Sequence, residues 1–273
     1  MQCHHKMTMG ARVVIKLGGG LITDKTESKT FDNDRMAGIA EVIAELSHLG
    51  SSIVIVHGAG SYGHLLAKEW SISDGARSDI SYEQKNAVSQ IRRDMRELNT
   101  LVINSLNKVG LECESHPPSD WALGTGHSFQ GNLSAFHRSN VDSIPVTFGD
   151  VVDTNDEAKF GILSGDDLML RISKEVPGVT HSIFLIGDAD GVMDKPPNER
   201  NSKLLPIWHP GFHLRSNHDS DIDVTGGIEL KLMRASEISK HVGEVWIIDG
   251  REPTRLSELL TEGQTIGTKI LVS

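Results

Sequence analysis

Lysines and glycines recur in this chain at spacings that suit the handling of phosphate. Lys16 lies in the otherwise apolar run Arg12-Val13-Val14-Ile15-Lys16-Leu17, just before Gly18, Gly19 and Gly20. A charged amine in an apolar strand is costly unless it reaches an anion at the strand's end. Glycines, lacking Cβ atoms, let the backbone approach a ligand closely. Lys25 follows after Ile22-Thr23-Asp24, and two lysines around a glycine turn suit a polyphosphate. Lys231 comes after a second turn, Asp223-Val224-Thr225-Gly226-Gly227, which opens a helix reaching to about Lys240. Helical side chains lean toward the helix N-terminus, so Lys231 can reach a phosphate held there.

A further glycine turn, His57-Gly58-Ala59-Gly60-Ser61-Tyr62-Gly63-His64, follows the apolar run Ser52–Val56 and precedes the helix-like Leu65–Trp70. Backbone N–H groups at such a strand-to-helix turn can point at an anion. Its G-x-G-x-x-G spacing is also a dinucleotide fingerprint, which would make the chain a nicotinamide-dependent oxidoreductase. A dinucleotide site expects the fingerprint at the first strand-to-helix turn and an acidic residue closing the next strand. Here it follows the second strand, and the downstream Asp74 and Asp79 lie in a polar stretch with no strand before them. Gly161-Ile162-Leu163-Ser164-Gly165-Asp166-Asp167 forms another cluster. Ser164 can cap a helix from Gly165, with both aspartates at its positive end, and the same N–H groups face a ligand cleft.

These residues need a scaffold that gathers them. Strand-like runs at 12–17, 52–56, 143–148, 182–186 and 244–248 each end in Gly or Asp and alternate with helix-like periods. That pattern marks an open α/β sheet, whose ligands bind beyond the carboxyl ends of the strands. Met36, Ile39, Ile43, Leu46 and Leu49 predict a helix capped by Asp32 or Asn33. Val88, Ile91, Met95, Leu98, Val102 and Leu106 predict a long one over 82–109, with room to pack on a second subunit as well as on its own sheet. Residues 195–220 read as a surface connection whose His209, His213 and His218 are solvated rather than metal ligands.

Composition narrows the classes. The 273 residues carry a formal net charge of -10, which argues against nucleic-acid and anionic-membrane binding. Two distant cysteines, Cys3 and Cys113, suit reduced thiols in the cytoplasm. No apolar run approaches the ~18 residues of a membrane span. Residues 1–9 read as a flexible tail without the apolar stretch of a signal peptide.

In this order along the chain, Lys-x-Gly-Gly, the glycine turn, Ser-Gly-Asp-Asp, Gly-Asp-x-Asp-Gly-Val and Asp-x-Thr-Gly-Gly-x-x-x-Lys resemble the amino acid kinase superfamily. The run from Lys16 to Lys25, the His57–His64 turn and Asp223–Gly227 are most similar to its isopentenyl phosphate kinases, with His64 the most discriminating residue. The resemblance implies an αβα sandwich around a mainly parallel open sheet. It implies one kinase domain over 10–273, with a substrate lobe at 10–177 and an ATP lobe at 178–273. The implied activity is phosphorylation of isopentenyl phosphate by ATP with Mg²⁺, in isoprenoid biosynthesis, by a homodimer. Fosfomycin or a small acid is the alternative acceptor.

The roles carried over are Lys16, Lys25 and His64 in catalysis, with Ala59, Gly60, His64, Ser164, Gly165 and Asp166 at the substrate. Lys16, Gly18, Gly19, Gly20, Gly60, Gly187, Asp188, Asp190, Gly226, Gly227 and Lys231 fall to ATP, and no side chain is assigned to a dedicated metal site. Three positions depart from the family pattern: Gly20 for the usual Ser, Gly187 for Thr and Met193 for an aromatic residue.

Overall fold

The computed structural model describes residues 10–24, 27–137, 143–211 and 227–272. Two expected site residues, Lys25 and Gly226, lie outside the described residues, as do the N-terminal residues 1–9, His213 and His218.

The first strand, β1 (Arg12–Leu17), runs into one helical turn, α1 (Gly19–Ile22). Then come α2 (Asn33–His48), β2 (Ser52–His57), α3 (Gly60–Glu69) and the long α4 (Ser81–Lys108). Four short pieces, β3 (Cys113–Ser115), α5 (Pro118–Trp121), β4 (Ala122–Leu123) and β5 (Gln130–Gly131), lead to β6 (Ile144–Phe148), β7 (Asp150–Asp153) and β8 (Phe160–Leu163). After them stand α6 (Gly165–Glu175), β9 (Val179–Ile186), β10 (Ile207–Trp208), α7 (Gly227–Ser239), β11 (Glu244–Asp249), α8 (Thr254–Glu262) and β12 (Thr268–Ile270).

The main sheet has the order β10-β12-β11-β9-β1-β2-β6-β3 and is parallel except where β11 meets β12. Strand side chains alternate between faces, and both faces are buried. Val13, Ile15 and Leu17 join Ile53, Ile55, Ile183 and Leu185 in one core, covered by α2, α3, α4 and α8. Val14, Val54, Val56, Phe184 and Ile186 face the other way, into a core covered by α6 and α7. The three layers are those expected from the sequence. Lys16 therefore lies on the α6–α7 face, in register with Val14.

Three local features differ from the sequence reading. The helix expected from Leu65 begins five residues earlier at Gly60, so five of the eight residues of the glycine turn are helical. Gly19 and Gly20 likewise sit in a helical turn rather than in an open loop. A second sheet, β5-β4-β7-β8, has strands of two to four residues, too short to show an alternating pattern. The expected caps formed: Asp32 accepts from Arg35 N at 2.9 Å, and Ser164 Oγ accepts from Asp167 N at 3.0 Å.

Candidate active site

Four strands of the main sheet deliver their carboxyl ends to one edge. There β1 hands over to Gly18–Gly20, β2 to Gly58–Gly60, β9 to Gly187 and β11 to Gly250. The β1 and β2 turns meet backbone to backbone. A Cβ on Gly19 would lie 2.3 Å from Gly60 N, and one on Gly58 would lie 2.6 Å from Gly19 N. No side chain fits between them, so glycine is required on both sides. Among the described residues, the N–H groups of Gly19, Gly20, Ala59 and Gly60 donate to no protein acceptor, and neither do those of Gly165 and Asp166. Unspent amides at helix starts are anion sites, and here three helix starts share one edge.

Charge converges on the same edge. Asp166, at the start of α6, accepts from Lys16 Nζ at 2.5 Å, with Lys231 Nζ at 3.5 Å from the same oxygen. Gly165 makes room for the pair, since a Cβ there would lie 3.1 Å from Lys16 Cε. Burial pulls the Lys16 ammonium down to about 8; Asp166 resists that pull and the charge of Lys231 adds to it. Burial would raise the Asp166 carboxyl, but the two ammonium groups outweigh it and hold the group below the usual carboxylate range. The cluster is thus a carboxylate between two cations, with a net positive charge at the start of α6, where the Gly165 and Asp166 N–H groups are unspent.

Sequence reading missed Arg234, which lies three residues beyond Lys231 on the same face of α7. Its Nε donates to Asp167 Oδ1 at 2.7 Å, and both side chains are largely buried. Asp167 also accepts from Ser164 Oγ at 2.7 Å. The two adjacent aspartates of α6 therefore each take a cation from α7, one turn apart. The available signal was the Lys-x-x-Arg spacing, which puts both cations on one helical face.

Other expected residues take simpler places. Ser164 spends its hydroxyl on the α6 cap. Asp190 accepts from Arg255 Nη1 at 2.8 Å, while Asp188 is exposed beside it. Gly18 N–H is committed to Leu185 O. Gly187 sits against α1, where a Cβ would lie 2.8 Å from Leu21 Cα and 2.9 Å from Gly20 O. A larger residue at 187 would displace the turn that carries Gly20. His64 is exposed on α3, one turn past Gly60 on the same face.

The third glycine of the fingerprint, Gly63, is buried inside α3, where a Cβ would lie 2.9 Å from Ala59 Cβ and 3.3 Å from Met95 Sδ. It serves helix packing rather than a dinucleotide turn. His57 is fully buried and stacked on Phe148 at 5.0 Å. Burial lowers its imidazole to about 4, against hydrogen bonds to Gly58 O and the Asn99 amide, so the ring is neutral at pH 7.

Similarity to known proteins agrees with this geometry. The model of the amino acid kinase family matches residues 11–249. Isopentenyl phosphate kinase of Thermoplasma acidophilum is 32% identical over 262 residues, 94% of this chain and 99% of that protein. The isopentenyl phosphate kinase of Methanothermobacter thermautotrophicus is 29% identical over 94% of this chain and 98% of its own length. A solved isopentenyl phosphate kinase superposes with a TM-score of 0.81 at 27% identity, over 95% of this chain and 99% of that one.

Proposed function

Because the chain belongs to the amino acid kinase family, on its isopentenyl phosphate kinase branch, we propose that it phosphorylates isopentenyl phosphate with ATP. The products are isopentenyl diphosphate and ADP. A non-bridging oxygen of the acceptor's phosphate forms the new P–O bond to the γ-phosphorus. The bond from that phosphorus to the β–γ bridging oxygen breaks, and its electron pair leaves with ADP. Phosphoryl transfer asks the protein chiefly for positioning and charge stabilisation.

One observation carries this reading: Lys16 and Lys231 meet on Asp166 beside the unspent N–H groups of the glycine turns. Asp166 keeps two like charges together before an anion arrives. A polyphosphate then supplies the negative charge that a single carboxylate cannot match. The N–H groups of Gly19, Gly20 and Gly60 line the path between donor and acceptor. Lys231, on the helix that Arg234 ties to Asp167, holds the nucleotide's phosphates from α7, and Lys25 is assigned to the transferring phosphoryl group. His64 is assigned to the acceptor's phosphate as a hydrogen-bond donor. A phosphate monoester is already nucleophilic at neutral pH, so no general base is invoked.

The family implies ATP, typically with Mg²⁺. Among the described residues no three His, Cys, Asp or Glu side chains form a metal cage. Mg²⁺ commonly keeps several waters and binds through substrate phosphates with few carboxylates, and in this proposal the ion is carried in by the nucleotide. It would neutralise charge on the β- and γ-phosphates.

The division into an acceptor lobe (10–177) and a nucleotide lobe (178–273) is part of the proposal, as are the homodimer and the cytoplasmic location. No helix among the described residues is long and apolar enough to cross a membrane. The function is tested by an ADP-release panel over isopentenyl phosphate, fosfomycin, carbamate and acetylglutamate. Isopentenyl phosphate is expected to give the highest kcat/KM, and a preference for any other acceptor would replace it in the proposal.

A further inference from the structure

Phosphoryl transfer needs the donor and acceptor phosphates at a fixed separation. The two glycine turns must therefore be held in register with each other. Their mutual contact is bare backbone, Gly19 against Gly60 and Gly58 against Gly19, so the turns' own side chains cannot hold it. Among the described residues, Thr23 is the side chain that hydrogen-bonds both turns. Its Oγ1 lies 2.8 Å from Gly19 O and 3.0 Å from Ser61 N.

The polarity of this link is forced. Ser61 N–H can only donate and Gly19 O can only accept, so the hydroxyl accepts from α3 and donates to α1. Thr23 is buried. The gap it occupies exists because Gly60 has no Cβ: one built there would lie 2.1 Å from Thr23 Oγ1. Gly60 also has φ +48, which side chains rarely adopt.

Thr23 further decides which amides remain for an anion. The residue before α3, Ala59, offers no side-chain cap. Thr23 supplies the missing acceptor from another element and takes Ser61 N–H, while Ala59 O takes Tyr62 N–H at 3.1 Å. Among the described residues, Ala59 and Gly60 N–H are left without a protein acceptor, as are Gly19 and Gly20 N–H on the other turn. Beyond Thr23 the chain is tied to α3 and to its neighbour α4: Thr30 N–H donates to Ser61 Oγ at 3.1 Å, and the Lys29 ammonium pairs with Asp94 and Glu97 on α4.

We infer that Thr23 is a positioning residue whose hydroxyl sets the separation of the donor and acceptor phosphates by joining the two glycine turns. The inference rests on the reading of the site as a phosphoryl-transfer centre. Its test compares Thr23→Ala and Thr23→Val, which lack the hydroxyl, with Thr23→Ser, which keeps it. The assay uses whichever acceptor of the ADP-release panel the wild-type chain phosphorylates, so its outcome does not depend on isopentenyl phosphate being that acceptor.

A displacement of about 1 Å between reacting groups can cost ~10²-fold in rate. The Ala variant is therefore expected to lose kcat on that scale, with KM for nucleotide and acceptor little changed and with the Ser variant restoring most of the rate. If the Ala variant does not fold, the Val variant, which refills the volume, carries the same comparison. An unchanged kcat without the hydroxyl would overturn the inference. So would a Ser variant as slow as Ala, since the missing methyl and not the hydroxyl would then matter.

Discussion

A lysine whose ammonium lies in a sheet interior needs a reason to be charged, and Lys16 has two: Asp166 now, and an incoming polyphosphate later. Removing it by Lys16→Met is expected to lower kcat by about 10²–10³, the usual cost of losing one preorganised charge-stabilising donor. Steady-state ADP release measures it; a variant with wild-type kcat would remove Lys16 from the centre. Its acidity gives a second prediction. The ammonium of the free enzyme titrates near 8, below its ordinary 10.5, and kcat/KM reports the free enzyme. That ratio for nucleotide is therefore expected to fall as pH rises through about 8. Stability moves the other way. The unfolded chain holds this proton up to about 10.5 and the folded chain releases it near 8, so raising pH across that window favours the folded state. Loss of activity with an unchanged or higher unfolding midpoint is the expected signature, and a flat kcat/KM profile across the window would contradict it. Lys16 and Lys231 were legible in the sequence because each stood out locally, one in an apolar strand and one just inside a glycine-opened helix. Thr23 was not, because a threonine after Leu21-Ile22 has nothing unusual about it until α3 is brought beside it.

Pairing between α6 and α7 works at the scale of elements. Lys231 can share Asp166 only if α7 keeps its register on α6, and the Arg234–Asp167 pair fixes that register one turn away. Arg234→Met leaves Asp167 buried without its cation, and breaking a buried pair in this way typically costs about 3–5 kcal/mol. Chemical denaturation of Arg234→Met, Asp167→Asn and the double variant is expected to show a double variant less destabilised than the sum of the single ones. Strict additivity would mean that the pair does not couple the helices. The long elements were legible here: α2 and α4 declared themselves by apolar spacing, and β1, β2, β6, β9 and β11 by apolar runs closed with Gly or Asp. The small sheet of β4, β5, β7 and β8 was not, because its strands are fixed by tertiary contact rather than by any pattern of their own. The helical starts of α1 and α3 were hidden for a related reason. Glycine disfavours helix by propensity, and packing of the two turns against each other overrides it.

Across the whole molecule, a net charge of -10 would repel the anions that this reaction uses. The fold answers locally, by gathering two lysines at one carboxylate and leaving amides at the strand-to-helix turns unspent. The order of motifs along the chain made part of this legible, since three of them end β1, β2 and β9, parallel neighbours whose carboxyl ends meet at one sheet edge. What sequence could not supply was the shared carboxylate, because Asp166 stands 150 residues from Lys16 along the chain. The central claim is that this edge transfers a phosphoryl group from ATP to a phosphate acceptor. Phosphorus NMR of the purified chain with ATP, Mg²⁺ and isopentenyl phosphate tests it most directly. The expected result is loss of the monophosphate signal and growth of a coupled diphosphate pair beside ADP, both abolished in Lys16→Met. An unchanged isopentenyl phosphate signal, with the enzyme folded and another acceptor of the panel phosphorylated, would contradict the account.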